Sequence, residues 1–480
     1  MSMDPNDLSN LVVPLPEDIQ RAKDFGDFSL TRRLIHQKLN NARISEVLKD
    51  RLQTELKVLT VFEAKQYPYE ETKALEMMQQ SFVDFQREEL DRLVEAGEVE
   101  WIYLNGKKVF HERFIANLVK TRSDYYTRYL FEEENGIDSA RQVELDENVE
   151  KMKQLGQRTA RIVLKQSLRP LTTLNKEDGP FLTHIPLPRD TGKVANAKIL
   201  QTKGAVKQID PFAAPQRTIA FETNDPSSIE ATVEHSYELT AVYTDLFQLL
   251  DEQTMIRELT ESEKNAFASA LNEFAPHIQF TPFLQQLLQE ILPEAKNPLE
   301  RAYAIYHFVT TKVTYSFMRE YYAIPNISEY CAVNQKGDCG VQALLFITLC
   351  RMANIPAEWE SGLYVSEFFV GPHDWARFYL PEYGWLYVDV SFGGSAFRGG
   401  NEERWLYYFG NLDIFRLPAN NCIQGGFTVA KQFLRADPID NQRGEFESAK
   451  KGYRYDELDW QAELIEMTLC RMANIPAEWE

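Results

Sequence analysis

Cysteine is scarce in this chain of 480 residues: there are five, at positions 331, 339, 350, 422 and 470. The number is odd and no two are spaced as a Cys-x-x-Cys pair, so neither a disulfide framework nor a structural zinc site is favoured. No acidic loop of the EF-hand type is present, which leaves calcium dependence without support. We therefore expect no cofactor, no metal and five free thiols, one of which is a candidate nucleophile.

Long apolar runs and an excess of positive charge are also missing. The longest strongly apolar run, Ala343–Cys350, is too short to span a bilayer, and the acidic N-terminus has no stretch of the signal-peptide kind. The net charge of −20 argues against nucleic acid or an anionic membrane as partner, because phosphates bind clustered Lys and Arg. The sequence predicts a soluble cytoplasmic protein and leaves the oligomeric state open.

The region 1–167 is predicted to form a mainly helical domain. Apolar residues recur at helical spacing in three stretches, 27–95, 114–130 and 147–166. A hairpin is expected near 99–110, where Asn105-Gly106 separates two apolar runs and both turn positions favour positive φ.

The rest of the chain is predicted to hold a linker, a second domain and a tail. The segment 168–216 is rich in proline and predicts an extended linker. Strand-like alternation follows from Arg217, and helices are expected in three stretches, 262–272, 281–292 and 297–312. The second domain is predicted at 217–430, with its core at about 290–415, and the tail at 431–480.

The tail contains a repeat. Its end, Thr468–Glu480, has the same thirteen residues as Thr348–Glu360. The copy has no equivalent of Cys339, so we assign the tail no function and expect it not to repeat the fold of its copy.

The stretch 337–394 holds the residues best suited to catalysis. Asp338 fits a helix N-cap and places Cys339 in the first turn of a buried apolar helix that ends near Asn354. The free amides and the dipole of that turn favour a thiolate, whereas the Asp338 carboxylate opposes it. The alternative for Cys339 is a buried structural cysteine, which is common. We interpret Cys350, on the same helix, as a cysteine of this structural kind.

A nucleophilic cysteine needs a base, and the base needs an orienting group. His373 and Asp389 lie on two consecutive predicted strands. If Pro381–Tyr383 form a three-residue loop, Trp375 lies opposite Asp389, and His373 is on the same face within hydrogen-bonding reach. A two-residue loop without a bulge would put the two side chains on opposite faces. A surface histidine is the alternative for His373.

These segments resemble the transglutaminase-like superfamily, whose core also resembles papain-type cysteine proteases. The resemblance is carried by RAYAIYHFVTTKVTYS, GDCGVQALLFITLCRMANIPAEWESGLY, HDWARFYLPEYGWLYVDVSFG and, as in bacterial members, YYFGNLDIFRL. It implies an α+β fold, in which a helix packs on an antiparallel sheet behind the mainly helical N-terminal region. It also implies that Cys339 is the nucleophile, His373 the general base and then acid, and Asp389 the group that orients the histidine.

The sequence departs from animal transglutaminases in one respect: it has Asp338-Cys339-Gly340 in place of their glutamine–cysteine–tryptophan signature. The expected function is cysteine-dependent acyl transfer on amide bonds through a thioester, as a peptidase, an amidase or a transglutaminase-like enzyme. The expected partner is a protein or peptide that offers a glutamine side chain or a peptide amide. Further oxyanion or pocket candidates are Gln335, Trp375 and Tyr387.

Two other interpretations stay open. The first is a catalytically inactive transglutaminase-like scaffold or binding protein, which the presence of all three triad residues disfavours and Asp338 mildly favours. The second is that the helical N-terminal region is the functional module and the C-terminal half its platform.

Overall fold

The structure is a computed structural model that describes residues 6–63, 66–130, 137–293 and 297–470. The N-terminal region is helical, as predicted, and its helices are α1 Glu17–Asp24, α2 Phe28–Leu39, α3 Glu46–Glu63, α4 Glu71–Ser81, α5 Arg87–Glu95, α6 Phe114–Thr121, α7 Ser123–Tyr126 and α8 Ile137–Leu155. The helices that follow are α9 Leu246–Asp251, α10 Glu261–Ala266, α11 Ala268–Leu271, α12 Pro282–Ile291, α13 Pro298–Lys312, α14 Ile327–Asn334, α15 Cys339–Met352, α16 Val390–Arg398 and α17 Glu402–Tyr407.

The strands form antiparallel sheets and one short parallel pair. They are β1 Tyr69–Glu70, β2 Trp101–Leu104, β3 Lys107–Phe110, β4 Gln157–Pro170, β5 Phe181–Pro186, β6 Val194–Lys203, β7 Val206–Ile209, β8 Thr218–Thr223, β9 Ala231–Val242, β10 Thr314–Tyr315, β11 Lys336–Gly337, β12 Ala357–Val365, β13 Val370–Leu380, β14 Gly384–Val388, β15 Phe409–Gly410, β16 Arg416–Asn420, β17 Glu445–Glu447 and β18 Leu458–Leu469. The predicted hairpin is confirmed as β2–β3, whose turn residues Asn105 and Gly106 have φ values of 49° and 81°.

The helix expected over 147–166 is only partly correct. α8 ends at Leu155, and β4 begins two residues later. The run Arg161–Lys165, RIVLK, contains β-branched residues that favour an extended strand, and this preference outweighs the helical spacing read from the sequence.

The expected linker at 168–216 is wrong. The segment supplies β5, β6 and β7 to two four-stranded sheets, with strand orders β18-β4-β9-β6 and β17-β5-β8-β7. Two of the prolines that suggested a linker stand at strand ends, where a missing N–H costs little: Pro170 ends β4 and Pro186 ends β5. Leu168, Phe181 and Phe446 share the core between these sheets.

The C-terminal segment completes this pair of sheets, since β17 pairs with β5 and β18 with β4. Thr468 and Leu469 are in β18, whereas Thr348 and Leu349, their counterparts in the repeat, are in α15. The described part of the repeat therefore does not copy the fold, as expected, and residues 471–480 lie outside the described residues.

The second domain is built around a five-stranded antiparallel sheet, ordered β15-β14-β13-β12-β16. Helix α15 packs on it, and every residue from Gly340 to Cys350 is buried. Phe346 of α15 contacts Phe378 of β13 with ring centroids 5.9 Å apart. This arrangement confirms the predicted α+β class with a helix packed on an antiparallel sheet. No helix within the described ranges is long and apolar enough to cross a membrane.

Candidate active site

The start of α15 positions Cys339. Asp338 is the N-cap, and its Oδ1 accepts a hydrogen bond from the Val341 amide at 3.2 Å, while the Tyr321 hydroxyl donates to the same oxygen. Gly337 permits the tight entry, because a Cβ there would lie 2.3 Å from Val341 Cγ1. The helix runs to Met352, so the predicted N-cap and the predicted end near Asn354 are both confirmed.

The loop between β13 and β14 sets the register of the other two residues. Leu380 pairs with Gly384, so Pro381–Tyr383 form the loop, and its odd length confirms the condition derived from the sequence. His373 and Asp389 consequently reach each other, with Nε2 of the histidine 2.7 Å from Oδ2 of the aspartate.

Asp389 is held by several groups at once. It lies just after β14 and caps α16, since its Oδ1 accepts from the Phe392 amide at 2.9 Å and from the Ser391 hydroxyl at 3.0 Å. Arg416 Nη1 forms an ion pair with Oδ2 at 2.9 Å. Burial alone would raise the pKa of Asp389, but His373 and Arg416 bring the pKa well below its usual range, so the carboxylate stays ionised.

His373 is a neutral imidazole near pH 7. Burial lowers its pKa, and this effect outweighs the opposing attraction of Asp389. Because Asp389 is ionised and accepts, Nε2 carries the proton, which leaves Nδ1 as the free acceptor. Phe392 packs on the imidazole with ring centroids 4.4 Å apart and limits its rotation.

Cys339 has a different partner from the one expected. Its Sγ donates to Oδ2 of Asp374 at 3.2 Å, and no hydrogen bond joins it to His373 among the bonds between described residues. Burial raises the pKa of the Cys339 thiol, and Asp374 and Asp338 raise the pKa further. In this state, burial and the two carboxylates thus favour the thiol and outweigh the helix N-terminus, and the effect of Asp338 has the direction expected from the sequence.

Further carboxylates lie close enough to Asp374 to raise its pKa, and of these Asp440 is buried while Asp338 and Asp437 are half-buried. Burial is the main cause that raises the pKa of Asp338 to about 6, of Asp437 to about 6 and of Asp440 to about 8. Burial and then Asp440 raise the pKa of Asp374 well above its usual range. Gln442 Nε2 donates to Asp374 Oδ1 and, at 3.1 Å, to the main-chain oxygen of His373.

Sequence reasoning missed these groups for two reasons. Asp374 follows His373 directly in β13. Because successive side chains of a strand point to opposite faces, this alternation could have indicated that Asp374 points away from the His373 side chain. Asp437, Asp440 and Gln442 come from the predicted tail, where no local pattern indicates that the chain returns to Cys339.

A cleft of about 670 Å³ connects these residues, and Cys339, His373 and Asp374 all line it. Its wall includes Arg113 and Lys120 of the N-terminal region. The site is therefore built from three parts of the chain: the N-terminal region, the sheet with α15, and the segment before β17. Within the described residues, no group of three or more His, Cys, Asp or Glu side chains is arranged to hold a metal ion.

The remaining sequence candidates lie elsewhere. Gln335 is exposed in a left-handed conformation after α14, with φ 50°, and does not line the cleft. Trp375 and Tyr387 line a separate cavity of about 160 Å³. Trp375 is directed there because it pairs in register with Glu360 and donates to that carboxylate at 3.1 Å. None of the three is thus part of the cleft, in contrast to the expectation.

Comparison with known proteins bears on this arrangement. Residues 285–390 match the family described as the transglutaminase-like superfamily. The chain contains a transglutaminase-like domain. The match spans α12 to the start of α16 and includes Cys339, His373 and Asp389. The transglutaminase-like domain thus has the fold of a general class of cysteine-dependent hydrolases and transferases.

Three solved structures are similar to parts of the chain. A candidate cysteine protease from Cytophaga hutchinsonii is 12% identical, with 65% of this chain and 89% of that chain covered and a TM-score of 0.39. The periplasmic domain of TgpA from Pseudomonas aeruginosa is 12% identical, with 54% and 96% covered and a TM-score of 0.28. A candidate protease from Parabacteroides distasonis is 10% identical, with 46% and 42% covered and a TM-score of 0.21. A comparison with curated protein sequences finds no match.

Proposed function

We propose that the protein is a cysteine hydrolase or acyltransferase that acts on amide bonds of protein or peptide substrates. Cys339 Sγ attacks the amide carbonyl while its proton passes to His373 Nδ1. The new S–C bond gives a tetrahedral oxyanion, which the first-turn amide of α15 stabilises. When the C–N bond breaks, His373 returns the proton to the leaving amine and a thioester remains.

The second half of the reaction regenerates the thiol. His373 takes a proton from water or from an acceptor amine, which attacks the thioester carbonyl. The S–C bond then breaks, and the proton returns to Sγ. Water gives a carboxylic acid, and an amine gives a new amide.

The observation that carries the proposal is the hydrogen bond of 2.7 Å between His373 Nε2 and Asp389 Oδ2. It fixes the tautomer in which Nδ1 is a base, and the adjoining cleft also contains the Cys339 side chain. The missing bond from Cys339 to His373 does not oppose this role by itself, because catalytic hydrogen bonds in free enzymes often form only when substrate binds.

One observation favours a second candidate, a scaffold that binds a partner without turnover. The Cys339 thiol donates to Asp374 rather than to His373, and its raised pKa disfavours the thiolate that attacks. A scaffold of this kind would bind peptides in the cleft and would leave them intact.

The experiment that separates the two is a scan of peptide, glutaminyl and amine substrates with the purified full chain. We expect turnover that is lost in Cys339→Ala and in His373→Ala and kept in Cys422→Ala, a partly exposed cysteine outside the cleft. Binding without turnover, at equal strength in all four proteins, supports the scaffold. Fractionation tests the cytoplasmic location, which remains a prediction from the sequence.

A further inference from the structure

The Cys339 thiol donates a hydrogen bond to the Asp374 carboxylate. The absence of a side chain at Gly340 leaves the space for this contact. Asp374 Oδ2 lies 3.2 Å from Sγ. A Cβ on Gly340 would lie 2.7 Å from the same oxygen and 2.3 Å from Tyr321 Oη. The neighbouring residue thus leaves room for Asp374 beside the nucleophile, where it can contact whatever binds there.

Within the described ranges, the side-chain carboxylates of Asp338, Asp374, Asp437 and Asp440 form no ion pair with a Lys, Arg or His. Arg435 donates to the main-chain oxygen of Asp440 and lowers the pKa of Asp437 and Asp440, but it does not act in this way on Asp374. This contrasts with Asp389, which is paired with His373 and Arg416. Buried carboxylates are normally paired or neutralised, and the raised pKa of Asp374 reflects the second case in the free protein. A cation that enters this end of the cleft would instead stabilise the ionised form of Asp374.

An independent observation comes from Tyr455, on the same cleft. Its hydroxyl is inaccessible to solvent and has no hydrogen-bond partner in the described structure. A buried hydroxyl without a partner costs free energy, and a ligand with N–H donors would satisfy its acceptor capacity.

We propose that Asp374 is the specificity-determining residue of this site and binds the ammonium group of a peptide with a free amino terminus, next to the carbonyl that Cys339 attacks. The proposal rests on the proposed function and names its substrate class. The ammonium takes the place of the thiol as donor to Asp374, and Sγ is released toward His373. The substrate thus removes the contact that holds the free enzyme inactive.

The distances fit an amine on the residue whose carbonyl is attacked. In an amino acid, the nitrogen and the carbonyl carbon are about 2.5 Å apart, and a sulfur ready to attack lies about 3–3.5 Å from that carbon. The amine is then at most about 6 Å from Sγ. A group that bonds Asp374 at about 2.8 Å is at most about 6 Å from Sγ as well, since Oδ2 and Sγ are 3.2 Å apart. An ammonium several residues away would exceed this reach.

An acceptor amine fits the contact less well. It would enter after the thioester has formed, when Sγ no longer carries a proton and Asp374 is already released. The contact exists in the free enzyme, so the group that replaces it must arrive with the acyl donor.

The test compares two substrates that differ in one group: a short peptide with a free amino terminus, and the same peptide with the terminus acetylated. For the wild-type chain we expect kcat/KM to be roughly 10- to 100-fold higher for the free amine, as for one charge-assisted hydrogen bond. In Asp374→Asn the ratio should fall to within about threefold through a higher KM for the free amine. Asp374→Glu should restore part of the preference.

Glu112→Gln is the matched control. Glu112 is an exposed carboxylate that lines the same cleft and has no hydrogen bond to the thiol in the described structure, so this variant should keep most of the preference. Equal cleavage of both peptides by the wild type, or an unchanged preference in Asp374→Asn, overturns the proposal.

Failure of the proposal and failure of the proposed function give different results. If both peptides are cleaved equally and cleavage requires Cys339, only the role of Asp374 is wrong. If neither is cleaved, or if Cys339→Ala cleaves as fast as the wild type, the proposed function fails and the role of Asp374 fails with it. The wild-type comparison alone decides the question should Asp374→Asn not fold.

Discussion

Replacing Asp374 with asparagine should lower the pKa of Cys339, because it removes a charge beside the thiol and keeps the shape of the side chain. Two unit charges at the observed 3.2 Å repel by about 1.3 kcal/mol in water and by about 5 kcal/mol at an effective dielectric constant of 20. These energies correspond to roughly 10-fold and several-thousand-fold changes in the thiolate fraction. Cys339 is partly open to the cleft, so below the pKa of the thiol we expect labelling to be about 10- to 100-fold faster in the variant.

The assay is the rate of iodoacetamide labelling of Cys339 as a function of pH, followed by peptide mass spectrometry, since only the thiolate reacts. Asp338→Asn should shift the profile less than Asp374→Asn, because Asp374 has the larger effect on the thiol, and asparagine still caps the helix. Asp437→Asn should shift it least. A profile for Asp374→Asn that coincides with the wild type, or that moves to higher pH, would refute the electrostatic reasoning.

The remaining predictions concern stability, measured by urea unfolding. Asp389→Asn should destabilise the fold by about 3 kcal/mol at pH 7. Because the folded pKa of Asp389 lies below its usual range, the difference from wild type should persist above about pH 3.9 and shrink below it. A pH-independent difference would argue against the ion pairs. Arg416→Met leaves Asp389 and Asp413 buried without their cation and should cost about 3–5 kcal/mol, whereas Arg161→Met, which breaks an exposed pair with Glu466, should cost less than about 1 kcal/mol. Gly340→Ala should cost about 1–3 kcal/mol through its close contacts, while Gly426→Ala, with open space around it, should stay within about 0.5 kcal/mol; equal costs would contradict the packing around Cys339.

Local patterns were sufficient to predict three local features of the chain. The N-cap at Asp338 and the odd loop Pro381–Tyr383 follow from residue preferences and from the period of a strand, and the structure has both. The hairpin at Asn105-Gly106 follows from the same kind of rule. Such rules depend only on neighbours in sequence, which explains their success here.

Contacts between distant segments could not be predicted in this way. The strands at 168–216 pair with strands outside the segment, including β9 and the distant β17, so the prolines alone suggested a linker. Gln442 and Asp440 were missed for the same reason, because they come from the predicted tail and line the cleft only through contacts with distant segments. The raised pKa of the Cys339 thiol depends on Asp374. This effect could not be predicted without knowing which side of β13 faces α15.

The central claim is that Cys339 forms a thioester with the help of His373 and Asp389, and rapid acid quench with intact-mass analysis tests it most directly. With a peptide ester or activated amide as acyl donor, we predict an acyl adduct on the peptide that contains Cys339, absent in Cys339→Ala and formed at least 100-fold more slowly in His373→Ala. An adduct that forms at the wild-type rate in His373→Ala, or that is found on Cys422 instead, would contradict the claim.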